Sequence, residues 1–194
     1  MSHRALLCDR GDRPTSPSSR TVVRVQTVVK PLSTVATMSA HLTHEQRLAE
    51  SQIDLPAALP AFGQYVPAVR HGNQLWVGGH FGTGPDGSLL VGRCGHDVDV
   101  LAARAAARSA AIDLLATVRE TLGSLDPVEQ VVQVYGVVNA TSEFVQHTGV
   151  IDAASDVLVE VFGDAGRHTR LAVGVSSLPA DMVLEIQALL VVAP

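Results

Sequence analysis

Two charged residues interrupt apolar runs near the end of the chain. Arg170 opens the run Leu171-Ala172-Val173-Gly174-Val175, and Glu185 stands among Met182, Val183, Leu184 and Ile186. An arginine so placed can grip a carboxylate through two parallel N–H bonds, and a glutamate can take a proton from water. Facing a cleft between subunits, the pair would hold a small carboxylate and handle an attacking water. Two plainer readings stand beside this one. Each side chain can point to solvent, because strand faces alternate, or the two can pair as a structural salt bridge.

Other reactive residue types carry weaker patterns. His80 follows Gly78-Gly79 and could line a pocket or sit in a solvated loop. None of the eight histidines falls into H-E-x-x-H or another ligand spacing, so no metal site is expected. Ser176-Ser177 lacks the G-x-S-x-G elbow that exposes a nucleophile, and Cys94 has no activating neighbour in sequence. Gly82-Thr83-Gly84-Pro85-Asp86-Gly87 spells G-x-G-x-x-G. That fingerprint must open a helix, whereas Pro-Asp-Gly makes a turn before a strand-like stretch, so no dinucleotide and no other cofactor is expected.

The elements that must position these residues follow from periodicity. Thr43 with Gln46 three residues on is a capping box, predicting a short helix to about Gln52. Tyr65–Arg70 and Gln74–Gly78 flank the turn His71-Gly72-Asn73 and read as a β-hairpin, with a third strand near Leu89–Val91. In residues 99–122, Ala103, Ala107, Ala110, Ala111, Leu114, Leu115, Val118 and Leu122 recur at helical spacing, and Gly123 is a stop. Val128–Val138 is a valine-rich strand, and a second long helix is expected from about Ser142 to Phe162. Two last strands, Arg170–Ser176 and Val183–Val192, turn through Leu178-Pro179-Ala180-Asp181. The order ββ(β)αβαββ is an α+β pattern, with the helices on one face of a sheet.

The chain has 194 residues, 46% hydrophobic and 17% charged, with a formal net charge of −5. That composition suits one folded domain and excludes whole-chain disorder. The charge is divided unevenly. Residues 1–37 hold six basic residues against Asp9 and Asp12, leaving the rest with eight Lys+Arg against seventeen Asp+Glu, a net −9. An acidic body has no basic face for nucleic acid. Cys8 and Cys94 make no disulfide framework, which fits a reducing compartment and a cytoplasmic location. No apolar run is long enough to span a membrane. Residues 1–37 read as a disordered or spurious extension, with translation from Met38 or an Arg- and Ser-rich transit peptide as the alternatives. Residues 38–58 read as a short helix and linker, and residues 59–194 as the domain proper.

From Leu59 to Val192 the chain resembles the YjgF/RidA (reactive intermediate deaminase, or L-PSP) family. The resemblance is carried by Gly63-Gln64-Tyr65-Val66-Pro67-Ala68-Val69, by His71-Gly72-Asn73-Gln74-Leu75-Trp76-Val77-Gly78-Gly79 and by Leu125-Asp126-Pro127-Val128. Its most specific part is His168-Thr169-Arg170-Leu171-Ala172-Val173, similar to the family's Pro-Ala-Arg-Thr signature, followed by Leu178-Pro179 and Leu184-Glu185-Ile186. The resemblance implies a chorismate-mutase-like α+β domain, two helices on one face of a mixed sheet, assembled as a homotrimer with clefts between subunits. It also implies hydrolysis of enamine/imine intermediates such as 2-aminoacrylate to 2-keto acids and ammonia. Arg170 would hold the substrate carboxylate, Glu185 would position water, and Tyr65, with Gly78 and His80, would line the cleft. A non-catalytic small-carboxylate binding protein with the same fold is the alternative. A nuclease, the activity tied to the L-PSP name, fits poorly with the acidic body. Gly78 replaces the family's serine, the asparagine of the second helix is missing near Thr148-Gly149, and Ala172 stands two after the arginine. These departures mark a divergent subgroup.

Residues 1–37 lack a periodic apolar face and should bury almost no surface. Removing them is expected to leave assembly intact and the melting temperature within a few degrees. A larger drop in a thermal melt would show that the segment packs on the body.

Overall fold

The computed structural model describes residues 42–84 and 86–194. Residues 1–37, and the extension expected there, lie outside the described residues. Eight elements frame the fold: helix α1 (His44–Glu50), strands β1 (Ala68–His71) and β2 (Gln74–Phe81), helix α2 (Val100–Leu122), strand β3 (Val128–Asn139), helix α3 (His147–Phe162), and strands β4 (Thr169–Val175) and β5 (Leu184–Val192). Short 3₁₀ turns at Gly163–Gly166 and Pro179–Asp181 join the last elements.

The five strands form one sheet in the order β1-β2-β5-β3-β4. All neighbours are antiparallel except β3 and β4, which run parallel because α3 crosses between them. The α+β expectation holds, with both long helices on one face.

Local signals explain most boundaries. The Thr43 side chain accepts from the Gln46 N–H, and the Gln46 side chain accepts from Thr43, completing the capping box. Asp99 caps α2 by accepting from the Ala102 N–H, and Gly123 closes it at φ 80°, a left-handed conformation that suits glycine. Along α2 the expected stripe Ala103, Ala107, Ala110, Ala111, Leu114, Leu115 and Val118 is fully buried. Its small side chains let the helix lie close to the sheet edge. A Cβ on Gly82 would fall 2.4 Å from the Ala106 carbonyl oxygen, so only glycine fits there.

Several elements differ from expectation, among them the second hairpin strand, which runs on past Gly78 to Phe81. The first hairpin strand begins at Ala68, not Tyr65: Pro67 has no N–H to give, and only its carbonyl joins the ladder, accepting from the Gly78 N–H. The stretch Leu89–Val91 is no strand but two isolated bridges, Thr83 to Leu89 and Val91 to Met182. Helix α3 starts at His147 rather than Ser142. Ser142 spends its hydroxyl on Glu143, and Thr141–Phe144 closes a separate turn, so Ser142 caps nothing.

Strand alternation sorts the sheet into two faces. Val131, Val134 and Val138 of β3 and Leu184, Ile186, Ala188 and Leu190 of β5 are buried under α2 and α3. Residues between them, among them Gln133, Tyr135, Gln187 and Leu189, line a shallow groove on the uncovered face, with Val69 and Trp76 half exposed beside them.

Candidate functional site

Glu185 lies on the uncovered face, in register with Val137 of β3 and Phe81 of β2. A β-bulge between Val77 and His80 puts Gly78 and Gly79 beside it. The carboxyl group occupies the space that a side chain on Gly79 would need, since a Cβ there would fall 1.8 Å from Glu185 Oε1. Burial pushes the Glu185 carboxyl above the ordinary glutamate value. A carboxylate whose hold on a proton is strengthened in this way is a better base for water.

A cavity of about 570 Å³ opens in front of Glu185. Tyr65, Phe62, Gly78 and Gly79 line it together with Pro179, Ala180 and Met182. Tyr65 is held on the rim, its hydroxyl accepting from the Phe62 N–H at 3.2 Å. Part of the lining is a strained turn. Ala180 and Asp181 both have left-handed backbones, at φ 51° and 55°. The turn is pinned by Asn139, fully buried at the end of β3, whose amide donates to Asp181 Oδ1 at 2.9 Å. Asn139 and Asp181 carried no signal in the sequence, because their partnership spans two loops that only the fold joins.

Arg170 stands elsewhere. It is in register with the fully buried Val134, so it points to the helix-covered side of edge strand β4. Its guanidinium reaches α3, donating to Asp152 Oδ1 at 2.7 Å and to Ser155 Oγ at 2.9 Å. The pairing of Arg170 with Glu185 considered from sequence therefore does not form, because the two side chains leave opposite faces of the sheet. The partner is Asp152, one helix turn from Ser155, which sequence reading missed.

The contacts of Ser155 and His168 complete this cluster. His168 Nδ1 lies 2.6 Å from the Gly166 carbonyl, which can only accept, so Nδ1 carries the hydrogen. Nε2 is then bare and accepts from the Ser155 hydroxyl at 3.0 Å. Ser155 oxygen remains free to accept from Arg170. Burial, with the Arg170 charge alongside, lowers the His168 pKa despite the Gly166 bond and keeps the ring neutral near pH 7.

Two further candidates are settled by their surroundings. His80 is neither in a solvated loop nor in the Glu185 cavity. It sits in β2, 3% exposed, turned to the helices with Nδ1 at 3.0 Å from the Gly78 carbonyl and Nε2 at 2.7 Å from Thr117 Oγ1. Cys94 is fully buried, and burial beside Asp97 and Asp99 pushes its thiol up to about 11, so it is no thiolate nucleophile. Among the described residues no three His, Cys, Asp or Glu side chains gather as metal ligands. No helix among the described residues is long and apolar enough to cross a membrane.

Over residues 45–190 the sequence matches the family described as "YjgF/chorismate_mutase-like, putative endoribonuclease". The chain belongs to this family. Protein TCP17 of Trypanosoma cruzi is 37% identical over 138 residues, 71% of this chain and 86% of that protein. The crystal structure of Agrobacterium tumefaciens protein Atu1372, of unknown function, is 37% identical and superposes with a TM-score of 0.70 over 77% of this chain and 92% of that one. A Shewanella oneidensis protein described as a "putative endoribonuclease" is 30% identical, with a TM-score of 0.73 over 78% of this chain and all of that one. The YjgF gene product of Escherichia coli is more distant, at 25% identity and a TM-score of 0.50. The YjgF architecture expected from the residues is thus the one found.

Gly79 yields a prediction. The atom that a Cβ would strike is the far end of a flexible side chain, so Gly79→Ala should move the Glu185 carboxylate rather than unfold the sheet. A thermal melt is expected to shift by no more than ~1 kcal/mol of stability, within the range of a glycine-to-alanine change in a strand. Ligand binding or turnover at the cavity should fall far more than stability does.

Proposed function

We propose that this family member hydrolyses small imines or enamines of the 2-aminoacrylate type to 2-keto acids and ammonia. The observation that carries the reading is Glu185: a desolvated carboxyl group facing Tyr65 across a cavity on the uncovered sheet face. An imine carbon is already electrophilic, so positioning and proton transfer suffice. Glu185 takes a proton from water as its oxygen bonds to the imine carbon. Returning that proton to nitrogen gives a carbinolamine, and moving the hydroxyl's own proton to the nitrogen as the carbonyl forms breaks the carbon–nitrogen bond, releasing ammonia and leaving the keto acid. Endoribonuclease, the activity in the family's descriptive name, would require a basic face, and residues 38–194 carry a net charge of −9.

The substrate carboxylate would be held by Arg170. Because Arg170 and Glu185 leave opposite faces of one sheet, a site using both must draw them from different subunits. The homotrimer belongs to this proposal: the uncovered face, with Val69, Trp76 and Leu171 about half exposed, is the surface a neighbouring copy would cover. A cytoplasmic location is part of the same reading and rests on cysteine usage.

Mixing tests the shared site. Arg170→Ala and Glu185→Gln proteins should each be inactive in an assay of 2-keto acid release from imines generated by an amino-acid oxidase. Unfolded together and reassembled, they should recover about a quarter of the wild-type rate, the share of clefts in a randomly mixed ring that keep both residues. No recovery from a well-formed mixed assembly would remove the two residues from a common cleft. Binding of 2-ketobutyrate without turnover in the wild type would favour a carboxylate-binding protein instead.

The pH profile gives a second check. Glu185 must be ionised to act as base, and its raised pKa means ionisation is completed only above the ordinary glutamate value of 4.5. The rate should therefore rise with pH through a point above 4.5, and this limb should vanish in Glu185→Gln.

Asp152 gives a third. It already fills one edge of the Arg170 fork, so an incoming carboxylate must compete with it. Asp152→Asn keeps the shape and removes the competing charge. Its affinity for 2-ketobutyrate, read by calorimetric titration, should rise several-fold, whereas a purely structural pair predicts no gain.

A further inference from the structure

A second chamber lies behind the wall of Phe62, Phe81 and Leu89 that bounds the Glu185 cavity, and nothing in the reading above uses it. It measures about 710 Å³ and opens between α2 and the segment that follows α1. Its lining is apolar except at two levels. Asp54 stands exposed, and Asp113, Ser109 and Thr83 lie along the wall formed by α2 and the end of β2.

Asp113 is the anomaly. It is only 9% exposed, yet no hydrogen bond or ion pair reaches its carboxyl group among the described residues. Burial alone acts on its acidity, pushing the carboxyl above the ordinary aspartate value with no cation nearby to oppose it. Its carboxyl oxygens are not sealed from water, and the chamber is the space that Asp113 lines, so the group is partly desolvated and open to a ligand there. The neighbouring hydroxyls do not serve it: Thr83 and Ser109 bond each other, Oγ1 to Oγ at 2.5 Å, and Ser109 Oγ also accepts the Thr83 N–H.

We propose that this chamber is a binding site for a small protonated alkylamine, its ammonium group on Asp113 and its hydrocarbon against Phe62, Phe81, Leu89 and Ile112. The sign follows from the two carboxyl groups, which would repel an anion and leave a neutral alcohol poorly matched. The apolar lining selects an organic cation with a short chain over a bare metal ion, for which no third acidic, histidine or cysteine ligand is at hand among the described residues. Asp54 adds a second negative charge that draws the cation in. The site stands independently of the imine reading, since it uses neither Arg170 nor Glu185.

The test uses the full chain with n-butylammonium, and with 1-butanol and butyrate as matched neutral and anionic probes. Calorimetric titration should show saturable butylammonium binding, with both controls at least ~10-fold weaker, the scale of one charge-assisted hydrogen bond. Asp113→Asn should lose ~10-fold or more of the butylammonium affinity, and Asp54→Asn a smaller part. Equal binding of 1-butanol would show an apolar hole and overturn the proposal, as would unchanged affinity in a folded Asp113→Asn protein. Should that variant fail to fold, the wild type decides. Its Asp113 carboxyl carbon, followed by NMR, should shift on saturation with butylammonium and not with butanol, and a silent carboxyl signal overturns the site.

Discussion

Two helices covering one face of the sheet set the terms for everything else in this molecule. Five strands alternate their side chains between a side sealed by α2 and α3 and a side left open. A charged side chain that the sheet partly buries must therefore find a partner under the helices or a cavity on the open face. Arg170 takes the first course and Glu185 the second. The fully buried alanines of α2 make the sealed side possible, because they bring the helix axis close enough to exclude water without long side chains.

The same constraint organises the polar chemistry. Under the helices, charge is neutralised locally: Arg170 is met by Asp152, and Ser155 accepts from the guanidinium and donates its own hydrogen bond to a neutral His168. On the open face, Glu185 has no cationic partner among the described residues and is held in a partly desolvated position over Gly79. A carboxyl group left in that state is suited to a proton transfer. On the proposed reading, catalysis and assembly are one question for this fold. The Asp113 chamber repeats the motif of a lone buried carboxyl, this time on α2, and so points to a cation rather than to water activation.

Much of this architecture is legible along the chain. The capping box at Thr43, the Asp99 to Gly123 limits of α2, the valine-rich β3 and the paired terminal strands all follow from nearest-neighbour chemistry and periodicity, which act over a few residues. The segments Leu89–Val91 and Ser142–Gln146 did not follow, because β-propensity and helix propensity there compete with turns fixed by distant partners. Leu89 and Val91 bridge to Thr83 and Met182 one residue at a time, and among the described residues no neighbouring strand extends the ladder.

By itself the sequence determined the residue types of the candidate site and their fixed separation along the chain: an arginine near the start of β4, a glutamate within β5, a tyrosine before β1. Only the tertiary structure decided which of them meet. A strand period of two leaves the face of each residue open until the sheet's covered side is known, so the arginine and glutamate could have been partners on sequence grounds. The register of β3 with its neighbours separates them, the β-bulge at Gly78-Gly79 makes room for the glutamate, and the passage of α3 over β4 brings Asp152 to the arginine. Those are long-range contacts, and no local pattern of residues encodes them.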